Sequence, residues 1–346
     1  MVPLLLARES QNARLWHCTR SIHGVTSCDG VSSSGFLARV FWHRLLPAQQ
    51  IGRTYRLGAL LPLTQHAPVN VAFLEELRRG GFIEGQNLSV EWRAYGEHFD
   101  QVSLYATELV KARVDVITTA GDNAIRPLQQ ATKTIPIVAI TDDMLASGFV
   151  NSVARPDGNI TGVNIRGDQS NGKRQDILIE AVPGIRRMAV LADESLRPID
   201  ELQEAARFRN VELSEYRLAK GEEIAAAIDK AQASGATALN VLVSTLFYAY
   251  RQLIRDRAAA LHLPAIFPWP EEAEEGAFAA YGPAMNTLFV EVMSQQIMKL
   301  FRGAKVAEIP IEQPTKFELV INLKTANAMG VTVPAALLLR ADKLIE

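Results

Sequence analysis

The residues best suited to bind a small molecule form a short polar loop after an apolar segment. Ile135–Ile140 is a run of apolar residues, and Thr141, Asp142 and Asp143 follow it directly. Such a run is typical of a buried strand in a parallel sheet, and open α/β sheets bind ligands at the carboxyl ends of their strands. Two adjacent carboxylates there could accept an ammonium group, bind a cation or cap the next helix. The sequence leaves these three roles open.

Further polar and aromatic residues are expected at the same kind of position. Hydroxyls and helix N-terminal amides would bind an α-carboxylate, Asp142 would bind an ammonium group, and an aromatic ligand could stack on Trp269 or Tyr281. Trp269 is flanked by two prolines, so anchoring a rigid loop is an equally strong interpretation, and Tyr281 has the alternative role of a hinge residue. The predicted ligand-binding residues are Thr64, Gln65, Thr119, Asp122, Thr141, Asp142, Ser244, Thr245, Trp269 and Tyr281.

The motifs of common catalytic and cofactor sites are absent from the sequence or incomplete. Gly167–Lys173 has the spacing of a phosphate-binding loop, but Arg174 stands where that motif needs a Ser or Thr to hold magnesium. Neither a dinucleotide glycine fingerprint nor a G-x-S-x-G nucleophile elbow occurs. His66 and His98 lack Cys or His companions at metal-ligand spacing. We therefore predict that the protein is not an enzyme and holds no cofactor and no metal.

Length, charge and hydropathy exclude two classes of protein. The 346 residues suit two domains, and 36 basic against 38 acidic residues give no electrostatic footprint for nucleic acid. No apolar run reaches the ~18–20 residues that a membrane-spanning helix requires. Cys18 and Cys28 both lie near the start of the chain, so the remaining sequence has no thiol, which suits an oxidising compartment.

Strand and helix patterns alternate along the rest of the sequence. The apolar residues of Pro68–Arg79 recur at helical spacing, the alternation restarts after Gly162, and Pro314–Ile321 is expected to return as a further strand. The predicted fold class is α/β, with two doubly wound parallel-sheet lobes joined by a hinge. The other predicted strands include Tyr55–Leu61, Leu88–Tyr95, Val114–Thr118, Ile160–Ile165, Arg187–Leu191, Glu212–Arg217, Ala238–Val243 and Ala265–Phe267. The other predicted helices include Val102–Lys111, Ala124–Thr132, Gly172–Val182 and Phe247–Leu261.

Two long motifs resemble a known protein family. The first spans Ile135–Val163, contains ARPDGNITGV and is followed by GKRQDILIEAVPGIRRMAVL. The second is Ile309–Glu346, IPIEQPTKFELVINLKTANAMGVTVPAALLLRADKLIE. Both resemble the ABC-transporter substrate-binding proteins that include the tryptophan- and tyrosine-type binding proteins, and the resemblance covers about Arg56–Glu346.

The resemblance implies a type I periplasmic-binding-like fold in which the chain crosses three times between two lobes. The crossings would fall near Gly162–Ile165, Ala280–Pro283 and Ile309–Pro314. Lobe 1 would comprise residues 53–162 plus 283–310, and lobe 2 residues 163–282 plus 311–346. Where most family members have Asp-Pro, this chain has Asp142-Asp143, so the family pattern assigns no role to the second acid.

The resemblance implies a periplasmic protein that captures a small polar or amino-acid-like solute. Aromatic amino acids are the first class to test, and hinge closure would present the loaded protein to an ABC permease in the inner membrane. The expected partners are the solute and the permease, with no nucleic acid, and the expected state is a monomer. One alternative is the effector domain of a transcription regulator, although Met1–Gln50 lacks the pattern of a helix-turn-helix. The other is a small α/β enzyme, for which the sequence offers no nucleophile–base pair.

Residues 1–52 lie outside the resemblance. Met1–Ala7 has no basic start, and bulky residues precede Cys18, so neither a secretory signal nor a lipidation site is recognisable. Pro47–Gln50 nevertheless resembles the point at which family members begin their mature chain. We interpret the segment as a signal region whose start or reading frame is misassigned, and a disordered extension is the alternative.

Overall fold

The computed structural model describes residues 52–96 and 98–346. The predicted N-terminal extension lies outside these residues except for Gly52. None of the helices in the described part of the chain has the length and apolar character needed to cross a membrane.

The first sheet consists of apolar strands that run parallel to one another. Every residue of its three later strands is buried, which is why these segments show no alternation of apolar and polar residues. The strands are β1 (Tyr55–Leu61), β2 (Leu88–Ala94), β3 (Val116–Ala120), β4 (Ile137–Thr141) and β5 (Ile160–Asn164). Their order across the sheet is β2–β1–β3–β4–β5.

Helices cover both faces of this sheet. Helix α1 (Pro68–Arg79) begins with a proline, is followed by Gly80 and buries Phe73 and Leu77. Helices α2 (Val102–Lys111) and α3 (Asp122–Ala131) cover the opposite face. The face next to α1 is completed by a much later segment, the π-helix Asn286–Met293 and helix α10 (Ser294–Phe301). We refer to the first sheet and these helices as the first lobe.

The second sheet has the order β12–β11–β10–β9–β8–β6–β7 and forms the second lobe with its helices. Its strands are β6 (Arg187–Asp193), β7 (Glu212–Leu218), β8 (Leu239–Val241), β9 (Ala265–Phe267), β10 (Ala279–Gly282), β11 (Glu318–Asn322) and β12 (Lys343–Ile345). Its helices are α4 (Gly167–Ala181), α5 (Asp200–Phe208), α6 (Ile224–Ala233), α7 (Thr245–Ala249), α8 (Arg251–Ala260), α9 (Pro270–Glu274), α11 (Leu323–Ala328) and α12 (Ala335–Leu338). The predicted α/β class with two sheet lobes is confirmed.

Three details of the second lobe differ from the expectation. Strand β11 begins at Glu318, later than the predicted Pro314, and pairs antiparallel with β10, so this sheet is not wholly parallel. Helix α4 begins at Gly167, five residues before the predicted start at Gly172. The residues of this first turn are poor helix formers, which is why the sequence did not indicate it. The predicted helix Phe247–Leu261 is two helices, α7 and α8, that meet at Tyr250.

The chain passes between the two sheets at three places, and two of the passages are hydrogen-bonded together. It leaves the first sheet after Asn164, returns after Gly282 and leaves again after Ile309. The Asn164 amide donates to the Glu312 carbonyl, and the Glu312 amide donates to the carbonyl of Gly162, each at 2.9 Å. This short ladder ties the first and third passages into one ribbon. The residue limits given above for the two lobes stay a prediction.

Candidate functional site

A cavity of about 380 Å³ lies between the carboxyl ends of the two sheets. Loops that follow β1, β3 and β4 form one wall, and loops that follow β6, β8 and β9 form the other. Both sheets thus present the edge at which α/β proteins bind ligands. The lining includes Leu61, Asp122, Asn123, Arg126, Ile140, Thr141, Asp142, Asp143, Ser147, Ile165, Asp193, Ser195, Arg197, Val243, Ser244, Thr245, Tyr248, Trp269, Met285 and Phe289.

The polar part of the first-lobe wall is organised around Asp122, the first residue of α3. One of its carboxylate oxygens accepts a hydrogen bond from the Thr141 hydroxyl at the end of β4. The other accepts one from the Ser147 hydroxyl at 2.7 Å. Because a carboxylate can only accept, both hydroxyl protons are committed to Asp122.

The second-lobe wall has a matching arrangement around Asp193, the last residue of β6. Its Oδ1 accepts hydrogen bonds from the Ser195 amide at 2.9 Å and the Ser195 hydroxyl at 2.7 Å. Its Oδ2 accepts one from the Ser244 hydroxyl at 2.7 Å. Asp193 is buried. The two walls therefore each present an aspartate whose two oxygens both accept from neighbouring hydroxyls.

The two adjacent acids after β4 have different surroundings. Asp143 caps the turn that follows β4 rather than a helix, because its Oδ1 accepts from the amides of Leu145 and Ala146 at 2.9 and 3.0 Å. Asp142 lines the cavity and accepts a hydrogen bond from the Gly167 amide at the start of α4, so it joins the end of β4 to the second lobe. Of the roles that the sequence left open, capping is therefore the one nearest to that of Asp143.

A buried arginine lies behind Asp142. Arg174 on α4 is fully buried and donates to the Ser170 hydroxyl at 2.8 Å and to the Tyr281 carbonyl at 3.3 Å. Burial lowers the pKa of Arg174 to about 10, and the nearby charges of Asp142 and Glu272 oppose that shift. The guanidinium is therefore still protonated at neutral pH and partly balances the acids around the cavity.

Aromatic and apolar side chains form the remaining wall. Trp269 after β9 is 3% exposed and meets Tyr248 edge-on, with 6.4 Å between ring centroids. Phe289 reaches the cavity from the π-helix and packs on Phe73 with 4.9 Å between centroids. The backbone amide of Trp269 donates to the buried Glu272 carboxyl at 3.2 Å, which fixes the turn that carries the indole.

Behind the cavity the two lobes touch at the interlobe contact of Tyr95, Ala120, Gly121 and Thr245. Tyr95 follows β2 and is 1% exposed, and its hydroxyl donates to the Ala120 carbonyl at 2.9 Å. The same hydroxyl is hydrogen-bonded to the side chain of Thr245 from the second lobe. Gly121 has a φ of +79°, and a Cβ there would lie 2.8 Å from Thr245 Cγ2. The close approach of the lobes at this point therefore requires a glycine.

The structure brings six of the ten predicted residues to the cavity. They are Asp122, Thr141, Asp142, Ser244, Thr245 and Trp269. That any of them contacts a solute stays a prediction. The hydroxyls expected to bind a carboxylate have another role in this arrangement, because Thr141 and Ser244 donate to aspartates.

The other four predicted residues lie outside the cavity lining. Thr64 and Gln65 are exposed, and Gln65 is hydrogen-bonded to its neighbour His66. Thr119 is fully buried within β3 and donates to the Leu60 carbonyl at 2.9 Å. Tyr281 belongs to β10, and its ring stacks on Phe317 at 6.0 Å. A strand-end rule cannot distinguish the last buried residue of a strand from the first residue that faces the cleft.

Several lining residues are missing from the sequence prediction. Asp193 and Ser195 follow the same strand-end rule, which would find them once β6 is extended by two residues. Arg126 lies one turn inside α3, and Phe289 lies on a helix from the far end of the chain. No sequence signal singles out these last two, because only the tertiary fold brings them to the cavity.

Comparison with known proteins places these features in a family. The family model described as ABC transporter substrate binding protein matches residues 69–345. A tyrosine-binding protein of Clostridioides difficile is 23% identical over 278 residues, which are 78% of this chain and 79% of that protein.

Two solved structures have a similar fold. An ABC domain in complex with L-Trp from Streptococcus pneumonia has a TM-score of 0.74 at 19% identity, and the match covers 84% of this chain and all of that one. A ligand-free, open substrate-binding protein with adhesive properties from Clostridium difficile has a TM-score of 0.55 at 18% identity, covering 84% of this chain and 99% of that one. With the family model matching most of the sequence, the chain belongs to the family of ABC transporter substrate-binding proteins.

Proposed function

We propose that this protein captures a single amino-acid-like solute with an apolar or aromatic side chain and delivers it to an ABC permease from outside the cytoplasm. The observation that supports it best is the cavity between the carboxyl ends of the two sheets, which combines hydrogen-bonded aspartates with an apolar and aromatic wall. Its volume of about 380 Å³ is near the lower end of the range of ~300–1,000 Å³ for small-molecule sites. A single small solute suits this volume better than an extended one.

The charges of the lining support a solute with a cationic group. Asp122, Asp142 and Asp193 all face the space between the lobes, and an ammonium group placed among them would lower their mutual repulsion. Trp269, Tyr248 and Phe289 offer ring faces and edges to an apolar side chain. The ligands named for the two related proteins, tyrosine and L-Trp, have both features.

Hinge closure is the proposed mechanism of capture. A solute that contacts both walls stabilises the arrangement in which the walls are close, and the permease would recognise that closed surface. The similarity to the L-Trp complex is greater than that to the open, ligand-free relative, with TM-scores of 0.74 and 0.55. This difference supports a closed arrangement for the lobes described above. No chemical step is part of this function.

A thermal-shift screen of the purified protein tests the proposal. The panel comprises aromatic and aliphatic L-amino acids, purines, sugars and small aromatic acids. A ligand at 100 times its dissociation constant adds ~2.7 kcal/mol to the free energy of unfolding of a protein that it binds only when folded. We expect the largest shift with an aromatic or large apolar amino acid.

Mass spectrometry of the denatured protein is the companion measurement, because a co-purified solute would mask any shift. A shift confined to sugars or purines would contradict the proposed solute class. The absence of both a shift and a co-purified small molecule would contradict solute capture itself.

A further inference from the structure

We propose that Arg126 binds a carboxylate of the solute and thereby determines that the protein selects an amino acid rather than an amine or amide of the same shape. This inference rests on the proposed capture of an amino-acid-like solute and names the group that recognises its acid end. Arg126 was not among the residues that the sequence predicted.

The hydroxyls of the cavity are unavailable as donors to a carboxylate. Each Ser or Thr hydroxyl has a single proton. Thr141 and Ser147 donate theirs to Asp122, and Ser195 and Ser244 donate theirs to Asp193. The same protons cannot also serve a solute carboxylate while these bonds persist.

The hydroxyl of Thr245 and the side-chain amide of Asn70 are committed in the same way. Thr245 is bonded to the Tyr95 hydroxyl, whose own proton goes to the Ala120 carbonyl, so Thr245 is the donor of that pair. Both bonds of the Asn70 amide nitrogen go to backbone carbonyls, those of Leu63 and Thr64. All Ser and Thr hydroxyls that line the cavity within the described residues are therefore already donors to protein groups.

Arg126 is a positively charged lining residue that can donate to a carboxylate of the solute. It is exposed, and its guanidinium lies 5.0 Å from the centroid of the Phe149 ring and donates to the Ser147 carbonyl at 3.5 Å. These two contacts orient the planar group and leave most of its five N–H donors for another partner. It forms no ion pair with any described residue. A planar fork of donors matches a carboxylate in two parallel hydrogen bonds.

The position of Arg126 fits the acid end of a zwitterion. It lines both the main cavity and a second compartment of about 370 Å³, whose lining also includes Asn123 and Gln130. The aromatic residues Trp269 and Phe289 line the main cavity only. A solute whose side chain lies against these rings would extend its carboxylate to Arg126. Arg197, the other lining arginine, already has an interaction of its own.

The test compares three amino acids with their carboxamides. L-Tryptophan, L-tyrosine and L-phenylalanine and the three amides are titrated calorimetrically into the wild-type protein at about pH 6, where the amines are protonated. A charge-assisted pair predicts that the wild type prefers the acids by about 10- to 100-fold. Arg126→Gln is expected to lose that preference by weakening acid binding while amide binding is nearly unchanged. Arg126→Lys should keep part of it, because lysine retains the charge but not the fork.

Arg155→Gln is the matched control. Arg155 is an exposed first-lobe arginine outside both cavity linings, so this variant makes the same change in net charge and should bind like the wild type. The unfolding midpoint of unliganded Arg126→Gln should match that of the control, which separates recognition from a structural role.

The outcomes separate this inference from the proposed function. If the wild type binds acids and amides equally, or if Arg126→Gln keeps the acid preference, the assignment of Arg126 is wrong while solute capture stands. If Tyr248→Phe, rather than Arg126→Gln, loses the preference for acids over amides, the carboxylate lies at the opposite wall. That result would also overturn the assignment of Arg126. Binding of none of the six probes would contradict both proposals.

Discussion

At the scale of single residues, Trp269 belongs both to the cavity lining and to an apolar core, while its stacking on a ligand stays a prediction. Its indole lines the cavity, and the same side chain packs into the apolar core that includes Leu57 and Phe73 of the first lobe. The chain reaches it from β9 of the second sheet. A residue of one lobe thus completes the core of the other, so the position of Trp269 depends on how closely the lobes approach.

Glu272, whose carboxyl group accepts from the Trp269 amide, has a raised pKa. Glu272 is 2% exposed, and burial raises its pKa to about 8 from an ordinary value of 4.5, although Trp269, Arg251 and Arg255 act in the opposite direction. Between about pH 4.5 and 8 the folded protein therefore binds more protons at this group than the unfolded chain does. Stability contributed by the neutral carboxyl is complete below this window and is lost as pH rises through it.

Substituting Glu272→Gln should remove this dependence. The amide oxygen can still accept from the Trp269 amide, and it has no charge to bury. We expect the free energy of unfolding of the variant, relative to that of the wild type, to increase steadily from pH 5 to pH 8.5 in denaturant titrations. Glu291→Gln, at an exposed position on the π-helix, is the control and should give a constant difference. A flat difference for Glu272→Gln would show that the group is ionised throughout.

At this scale the sequence predicts only part of the site. Polar residues directly after strands β3, β4 and β8 were found because the strand ends are visible as changes from apolar to polar residues. Arg126 and Phe289 were missed because their side chains reach the cavity from within helices. Thr119 was predicted together with the strand-end residues but lies in the core outside the cavity lining, because a single step along a strand decides between the core and the cleft.

At the scale of elements, strand β5 contains a glycine, Gly162, that no residue with a side chain can replace without strain. Gly162 has a φ of +140°, and a Cβ there would overlap the backbone of Ala139 in the neighbouring β4. The carbonyl of Gly162 accepts from the Glu312 amide at 2.9 Å and from the Gln296 side chain at 3.0 Å. This position therefore joins three segments of chain whose backbones approach closely.

Gly162→Ala should accordingly be costly. Both the strained φ and the overlap with Ala139 act against the folded state, so we expect a loss of about 3 kcal/mol or more in the free energy of unfolding. Gly158→Ala is the matched control, since no atom lies within 4 Å of a Cβ at that turn position. Chemical denaturation of the two variants checks the prediction, and equal, small losses would contradict it.

Element bounds were predicted best where local sequence and burial agree. Strands β1 and β9 and helices α1 and α2 occupy the predicted residues, because apolar periodicity and end signals coincide there. The short strands β10 and β12 were not predicted, since four and three residues carry too little pattern. The π-helix and helix α10 were also not predicted.

At the scale of the whole molecule, the interlobe contact of Tyr95 and Thr245 would link the proposed hinge closure to affinity. Tyr95 is not part of the cavity lining, but its hydroxyl bonds to both lobes directly behind it. Burial raises the pKa of Tyr95 above its ordinary value, so the group stays a neutral donor at physiological pH. In the proposed hinge mechanism, opening would separate Thr245 from this hydroxyl.

Tyr95→Phe should therefore weaken solute binding without altering any lining side chain. A net hydrogen-bond contribution of about 1 kcal/mol predicts a loss of affinity of about fivefold. Calorimetry gives the affinity, and small-angle scattering of the unliganded variant should show a radius of gyration at least as large as that of the unliganded wild type. Tyr105→Phe, which removes a hydroxyl bond to Gln101 within the first lobe, should leave the affinity unchanged. Equal affinities for Tyr95→Phe and the wild type would show that the contact does not bias closure.

The late return of the chain to each lobe has a consequence for biosynthesis. The first sheet is complete at Asn164, yet the face beside α1 stays uncovered until Asn286–Phe301 has been made. The second sheet acquires its last strand only at Ile345. A nascent chain therefore exposes apolar surface in both lobes until synthesis is nearly finished. This favours cooperative folding of the completed chain. Chains truncated before Glu318 should be prone to aggregation and proteolysis.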